Sequence, residues 1–216
     1  MEPEFWQQRW RDNLIGFHQT DINEHMRLFW DRMRLESGAR VFVPLCGKSL
    51  DMRWLSDRFF EVIGVEISPL AVKAFFEENG LSPEIIEQDR FEIYQSPGIR
   101  IYLGDFFDLT PAHLDGVRGV FDRASLIALP PAMRERYAEH LLTLIGAEVP
   151  ILLITLEYLQ AQMDGPPFSV HEDEVSRLYA HRRRVERLLD LDRLSEEPRF
   201  AERGLTGLRE KVFLIS

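Results

Sequence analysis

Two turns and an acid in this sequence have the spacing of a site for a ribose-bearing ligand. Pro44-Leu45-Cys46-Gly47-Lys48-Ser49 follows the apolar run Val41-Phe42-Val43. Glu66 stands nineteen residues after Gly47, at the end of a second apolar run. A glycine in the turn lets the backbone approach a ligand closely. A carboxylate at that spacing accepts hydrogen bonds from the two hydroxyls of a ribose. Gly104-Asp105-Phe106-Phe107-Asp108 forms another turn after an apolar run. There Asp105 either reaches an adenine amino group while Phe106 covers the base, or caps a helix above a buried Phe pair. In Phe121-Asp122-Arg123-Ala124-Ser125, Arg123 closes an inner strand. A guanidinium there needs an anionic partner, either a ligand or an internal carboxylate.

The ligand class follows from what is sparse. No G-x-G-x-x-G is present, and a pyrophosphate asks for several glycine amides at a helix N-terminus. S-adenosylmethionine has no phosphate and carries a sulfonium cation, so one glycine beside an acid suits it better. Gly47-Lys48-Ser49 also matches part of a phosphate-binding loop, but Phe42 occupies the position where that motif needs glycine. The residues alone therefore leave open a methyl-donor site, a nucleotide-binding or regulatory module without chemistry, and a nucleotide hydrolase. No G-x-S-x-G, H-E-x-x-H or C-x-x-C occurs. The six histidines show no metal-ligand spacing and read as surface or capping residues. No metal is expected, and Cys46 reads as a small hydrophobe.

Each of these residues follows an apolar run, so strands must position them. Strands are expected at 41–43, 61–67, 91–95, 99–103, 119–124, 150–157, 185–191 and 211–215. Helices are expected between them. Met26, Phe29, Trp30 and Met33 recur at helical spacing. Asp51 to Asp57 looks helical, and Ser68-Pro69 opens a helix that Gly80 stops. Pro131 to Ile145 forms another, and Ser169 to Glu172 matches a capping box for a helix reaching about His181. Alternating strands and helices imply a mostly parallel sheet with helices on both faces. The last two strands lack a full helix between them, which implies an antiparallel end. Ligands bind such sheets outside the carboxyl ends of the strands, where the strand order reverses.

Composition narrows the partners. With 216 residues, the chain makes one domain. Thirty-six acidic residues against twenty-six basic ones give a net charge of −10. That disfavours nucleic acid and anionic membranes as partners. A single cysteine points to a reducing cytoplasm. The start, MEPEFWQQRW, does not read as a secretory signal. The apolar run from Ile151 to Leu156 is too short to span a bilayer.

Taken in order, Ile15-Gly16-Phe17-His18, Val43 to Ser49, Val62 to Ser68, Asp122 to Pro130 and Gly165-Pro166-Pro167-Phe168 resemble the thiopurine S-methyltransferase family. The resemblance runs from Trp6 to Phe213. The chain lacks the longer N-terminus of the animal members and so resembles the bacterial ones. The resemblance implies a class I methyltransferase fold. That is an α/β, Rossmann-like, doubly wound sheet of seven strands, mostly parallel with an antiparallel end. Residues 1–36 would form an N-terminal helical extension that acts as a lid on the single domain 1–216. It implies that Trp10, Leu45, Glu66 and Arg123 contact S-adenosylmethionine, with Asp105 and Phe106 beside the adenine. Phe17 would meet the substrate, and Arg123 and Arg203 would position it.

The expected acceptors are aromatic and heterocyclic thiols, with selenium or tellurium compounds as further candidates in detoxification. The expected chemistry is in-line methyl transfer to a thiolate, with positioning as the main task of a monomeric enzyme. An arginine would favour the anionic acceptor, and no general base is obligatory. Methylation of another small molecule is the competing enzyme reading.

Overall fold

The computed structural model describes residues 3–58 and 60–216. Residues 1 and 2 of the expected extension lie outside the described residues. In chain order, helices α1 (Pro3–Arg11) and α2 (Glu24–Phe29) precede strand β1 (Arg40–Val43). Helix α3 (Leu50–Asp57), β2 (Glu61–Glu66) and α4 (Pro69–Glu78) follow. Then come β3 (Glu84–Gln88), β4 (Phe91–Ser96), β5 (Ile99–Leu103) and β6 (Val117–Arg123). Short α5 (Ser125–Ala128) and longer α6 (Pro131–Leu144) lead to β7 (Ile151–Glu157). Helix α7 (Glu172–Tyr179), β8 (Val185–Asp192), α8 (Pro198–Glu202) and β9 (Arg209–Ile215) complete the chain.

Local chemistry sets most of these boundaries. Ser49 and Ser68 cap α3 and α4 by accepting the amides of Asp51 and Ala71, and Pro69 starts α4. Gly80, with φ +63°, turns the chain just beyond α4. In β1 the side chains alternate between two cores. Phe42 joins one apolar cluster, while Val41 and Val43 join the other. A strand buried on both faces reads as a continuous apolar run. The first cluster packs α6 and α7 on one face, and the second packs α2, α3 and α4 on the opposite face.

Among the described residues the sheet has nine strands, in the order β3-β4-β5-β2-β1-β6-β7-β9-β8. The seven from β5 to β8 are the doubly wound set, with β5, β2, β1, β6 and β7 parallel. Strand β9 runs antiparallel between β7 and β8, as expected for the closing end. The seven strands that the resemblance implied become nine with an antiparallel extension beyond β5, in which β4 is the strand expected at 91–95 and β3 is the addition. Every residue of β3 is exposed. It therefore has no apolar alternation, and its pairing with β4 across the Asp89-Arg90 turn holds it. Asp89 sits there at φ +54°.

Two helix starts and stops also differ from expectation. The run from Met26 to Met33 divides at Trp30 into α2 and a 3₁₀ turn. The capping box at Ser169 does not form. The Ser169 hydroxyl donates to the Tyr158 carbonyl at 2.7 Å and accepts the Tyr158 amide at 3.0 Å. Its hydroxyl thus ties the loop to the end of β7, and α7 begins three residues later and stops at Tyr179.

The chain leaves β1 toward β2 on one side and returns to β6 on the other. The carboxyl ends of β1, β2 and β6 therefore border the crevice where such sheets take ligands.

Candidate active site

A cavity of about 510 Å³ opens at that crevice, within the size range of small-molecule sites. Leu45 to Ser49, Glu66, Asp105 to Phe107 and Arg123-Ala124 line it from the strand ends. Trp6, Trp10, Phe17 and His18 line it from the N-terminal segment, and Pro166-Pro167 from the loop after β7.

Glu66 organises the floor. One carboxylate oxygen accepts the Gly47 amide at 2.9 Å. The other accepts the Ile67 and Ser68 amides at 2.9 and 2.8 Å. Burial raises its pKa, and the three amide bonds oppose that rise. This arrangement also disposes of the phosphate-loop reading. The Gly47 amide, which a phosphate would need, already serves a carboxylate. The Lys48 ammonium is paired with Glu78 at 2.6 Å, and Ser49 caps α3.

Behind the turn, Cys46 is buried, and desolvation together with the nearby Glu66 charge pushes its thiol pKa well up. It is a neutral packing group. A side chain at Gly64 would come within 2.7 Å of its sulfur, so that strand position needs glycine.

The turns after β1 and β6 hold strained backbone. Leu45 has φ +44° and Ala124 φ +81°, a region that non-glycine residues enter at a cost of about 1–3 kcal/mol. A polar lattice holds both in place. The Ser125 hydroxyl donates to the Pro44 carbonyl at 2.8 Å, tying one turn to the other. Asp122, fully buried, accepts the Tyr137 hydroxyl at 2.6 Å and the Ser125 amide at 3.3 Å. Its pKa is raised, chiefly by desolvation.

Arg123 has an internal carboxylate as partner. Its Nε lies 3.0 Å from Asp51 Oδ2, and Nη2 donates to Ser49 Oγ at 3.3 Å. Asp51 also accepts the Asn23 amide at 2.8 Å. It therefore links the cavity wall to the point where the N-terminal segment joins the body. Sequence reasoning missed Asp51, because nothing in a helix first turn marks an acid as the partner of a residue seventy-two positions on.

The adenine-side residues divide. Asp105 accepts the Phe107 amide at 2.9 Å, the capping alternative, while still lining the cavity. Phe106 is buried in the core against Phe42 and Tyr137, and one part of it reaches the cavity. Phe107 and Arg136, whose guanidinium lies 3.9 Å from the Phe107 ring centroid, complete that wall.

Over the mouth, Phe17 meets Trp6 and Trp10 edge to face at 5.7 and 5.6 Å. A side chain at Gly47 would come within 3.3 Å of the Trp10 ring, so α1 seats on the glycine turn. No residue of α1 is buried.

Arg203 is not brought into the cavity. It sits exposed on the turn after α8, and its charge reaches Tyr158, whose hydroxyl donates to the Pro167 carbonyl. Arg199, four residues earlier, lines a smaller cavity of about 80 Å³ that shares Phe17, Arg123 and Pro167 with the main one. Arg199 also donates to the Gly16 carbonyl. Arg199 lies in the first turn of the five-residue α8 and Arg203 just past its end, so the two are one turn apart.

A family model described as thiopurine S-methyltransferase matches residues 1–216. A thiopurine S-methyltransferase of Nitrosospira multiformis is 49% identical over 215 residues, covering 100% of this chain and 98% of that one. Among solved structures, a SAM-dependent methyltransferase from Anabaena variabilis superposes with a TM-score of 0.65 at 16% identity. It covers 99% of this chain and 94% of its own. The Burkholderia thailandensis 1,6-didemethyltoxoflavin-N1-methyltransferase, with its substrate and S-adenosylhomocysteine bound, gives 0.60 at 15% identity, covering 99% and 87%.

Proposed function

The chain belongs to the thiopurine S-methyltransferase family, and from that premise we propose that it methylates the sulfur of aromatic or heterocyclic thiols. It is an S-adenosylmethionine-dependent methyltransferase. The cavity suits that cofactor. Its acids, Glu66, Asp51 and Asp105, suit a cation-bearing nucleoside, and its one glycine turn offers no phosphate cradle. When bound, the cofactor supplies a methyl group made electrophilic by the sulfonium.

Glu66 would hold the ribose hydroxyls, and Leu45 and Trp10 line the space the cofactor would fill. Asp105 and Phe106 border the adenine. Arg123, locked by Asp51 and Ser49, stands where the main cavity meets the smaller one. A fixed guanidinium there favours an ionised acceptor. Phe17 packs against the acceptor ring, and Arg199 takes the positioning role that Arg203 was expected to fill.

The observation that carries this reading is Arg123 pinned by an internal carboxylate at the junction of the two cavities. Held orientation of this kind supplies much of the rate when the donor is already activated. Among the described residues no helix is long and apolar enough to cross a membrane. We read the protein as a cytoplasmic monomer that detoxifies thiols, and selenium or tellurium compounds extend the same soft-nucleophile chemistry. Calorimetry with S-adenosylmethionine, followed by turnover on a panel of aromatic thiols, tests the reading. Saturable cofactor binding with thioether formation is expected. Cofactor binding with no thiol methylated overturns the acceptor class.

A further inference from the structure

His18 has a place that the expected mechanism leaves unused. It follows Phe17 at the mouth and lines both the main cavity and a second cavity of about 490 Å³. Four charged groups act on it. Lys48 and Arg123 are cationic, and Glu78 and Asp51 are their carboxylate partners at 2.6 and 3.0 Å. Burial first, then the two cations, lowers its pKa from 6.5, against the opposing pull of the two acids. A neutral imidazole at pH 7 is a proton acceptor. The second cavity has the opposite character. Asp21, Glu24, Glu197 and Glu210 line it against Arg193 and Arg199. Glu24 and Glu210 pair with Arg193 and Glu197 with Arg199, while exposed Asp21 and the exposed rim open the cavity to water, which can carry a proton away.

We propose that His18 is the proton acceptor for acceptor thiols that enter the site un-ionised, with the second cavity as the outlet for the proton. This rests on the thiol reading above. The S–H bond breaks, its electron pair stays on sulfur, and the proton bonds to an imidazole nitrogen. The resulting thiolate takes the methyl group, and the imidazolium gives its proton to water in the second cavity. Arg123 stabilises the anion without taking the proton. The two residues thus divide the work, and His18 sets how weakly acidic a thiol the enzyme accepts.

His18→Gln tests this, because the side chain is partly exposed and glutamine keeps a polar group there. General-base catalysis contributes roughly 10²–10⁴-fold. Turnover should therefore fall by about a hundredfold for thiols whose pKa lies above the assay pH, and by no more than a few-fold for those already ionised. A second readout needs no turnover. In the complex with S-adenosylhomocysteine, the ultraviolet band of a bound aromatic thiolate reports its ionisation. Its apparent pKa should rise by about one unit or more in His18→Gln, since the proton then has no partner in the site. An equal loss for all acceptors, or an unshifted ultraviolet titration, overturns the assignment. So does a large loss of S-adenosylhomocysteine affinity, which would make His18 a cofactor ligand. If the wild type methylates no thiol at any pH, the acceptor class itself is wrong; if it does and the variant's losses are uniform, only the role of His18 falls.

Discussion

At the scale of the residue, Glu66 and Asp122 show how a buried carboxylate can serve a site through its hydrogen bonds. Glu66 uses both oxygens on backbone amides. Glu66→Gln has only one acceptor oxygen, so it keeps at most one side of that arrangement and turns an NH₂ toward an amide. It also loses charge-assisted bonds to the ribose, worth about 1.5–3 kcal/mol each. Cofactor affinity by calorimetry should fall roughly tenfold or more, and unchanged affinity would remove Glu66 from the ribose site. Asp122 carries a pH signature. Its folded pKa lies above the ordinary 3.8 because burial disfavours the charge. The native state then holds the proton more tightly than the unfolded chain, so its contribution is present at acid pH and is lost as pH rises through the folded pKa. Asp122→Asn lacks that loss. The difference in Tm, variant minus wild type, should become more positive as pH rises above about 4. A difference independent of pH would show that Asp122 titrates normally.

At the scale of the element, α1 is held differently from every other helix that borders the site. It buries none of its residues, yet its Trp6 and Trp10 roof the cavity with Phe17. It rests against α4 and the Gly47 turn, and the next anchor is Asn23, whose amide bonds to Asp51 and whose side chain caps α2. Between them the Arg199 bond to the Gly16 carbonyl is an exposed tie. A segment with few buried contacts opens at low free energy, and a ligand beneath it supplies the missing apolar partner. Hydrogen exchange over residues 3–20 should therefore be slow only with cofactor or product bound. The same slow exchange in the free protein would make α1 a permanent part of the body.

At the scale of the whole molecule, the ligand and the fold are one thermodynamic system. The cavity is built from the ends of β1, β2, β5 and β6 and from the N-terminal segment, so binding is felt by most of the sheet. At a hundred times its Kd, S-adenosylhomocysteine should stabilise the folded state by about 2.7 kcal/mol. For 216 residues that corresponds to a rise in Tm of roughly 5–10 °C. No shift at millimolar ligand would be inconsistent with the cofactor pocket described above.

The sequence by itself determined the strands β1, β2, β5, β6 and β7, because a strand buried on both faces must be apolar throughout. It also determined the turn and acid that follow them, since Gly47 and Glu66 lie at a spacing set by one strand-helix-strand unit. It placed Leu45, Asp105 and Arg123 near a common crevice, because a doubly wound sheet brings its strand ends together, whereas Trp10 and Phe17 were expected there only from the family resemblance. It did not show β3, whose exposed residues carry no apolar pattern and whose existence depends on pairing with β4. It did not show that Ser169 would bond to Tyr158 rather than cap a helix. Only the tertiary structure brought Asp51 to Arg123, Arg199 rather than Arg203 to the smaller cavity beside the main one, and His18 within reach of two ion pairs. Local pattern reports which face of an element is buried. Which charged side chain meets which depends on how separate elements pack, and one strand's periodicity holds no record of that.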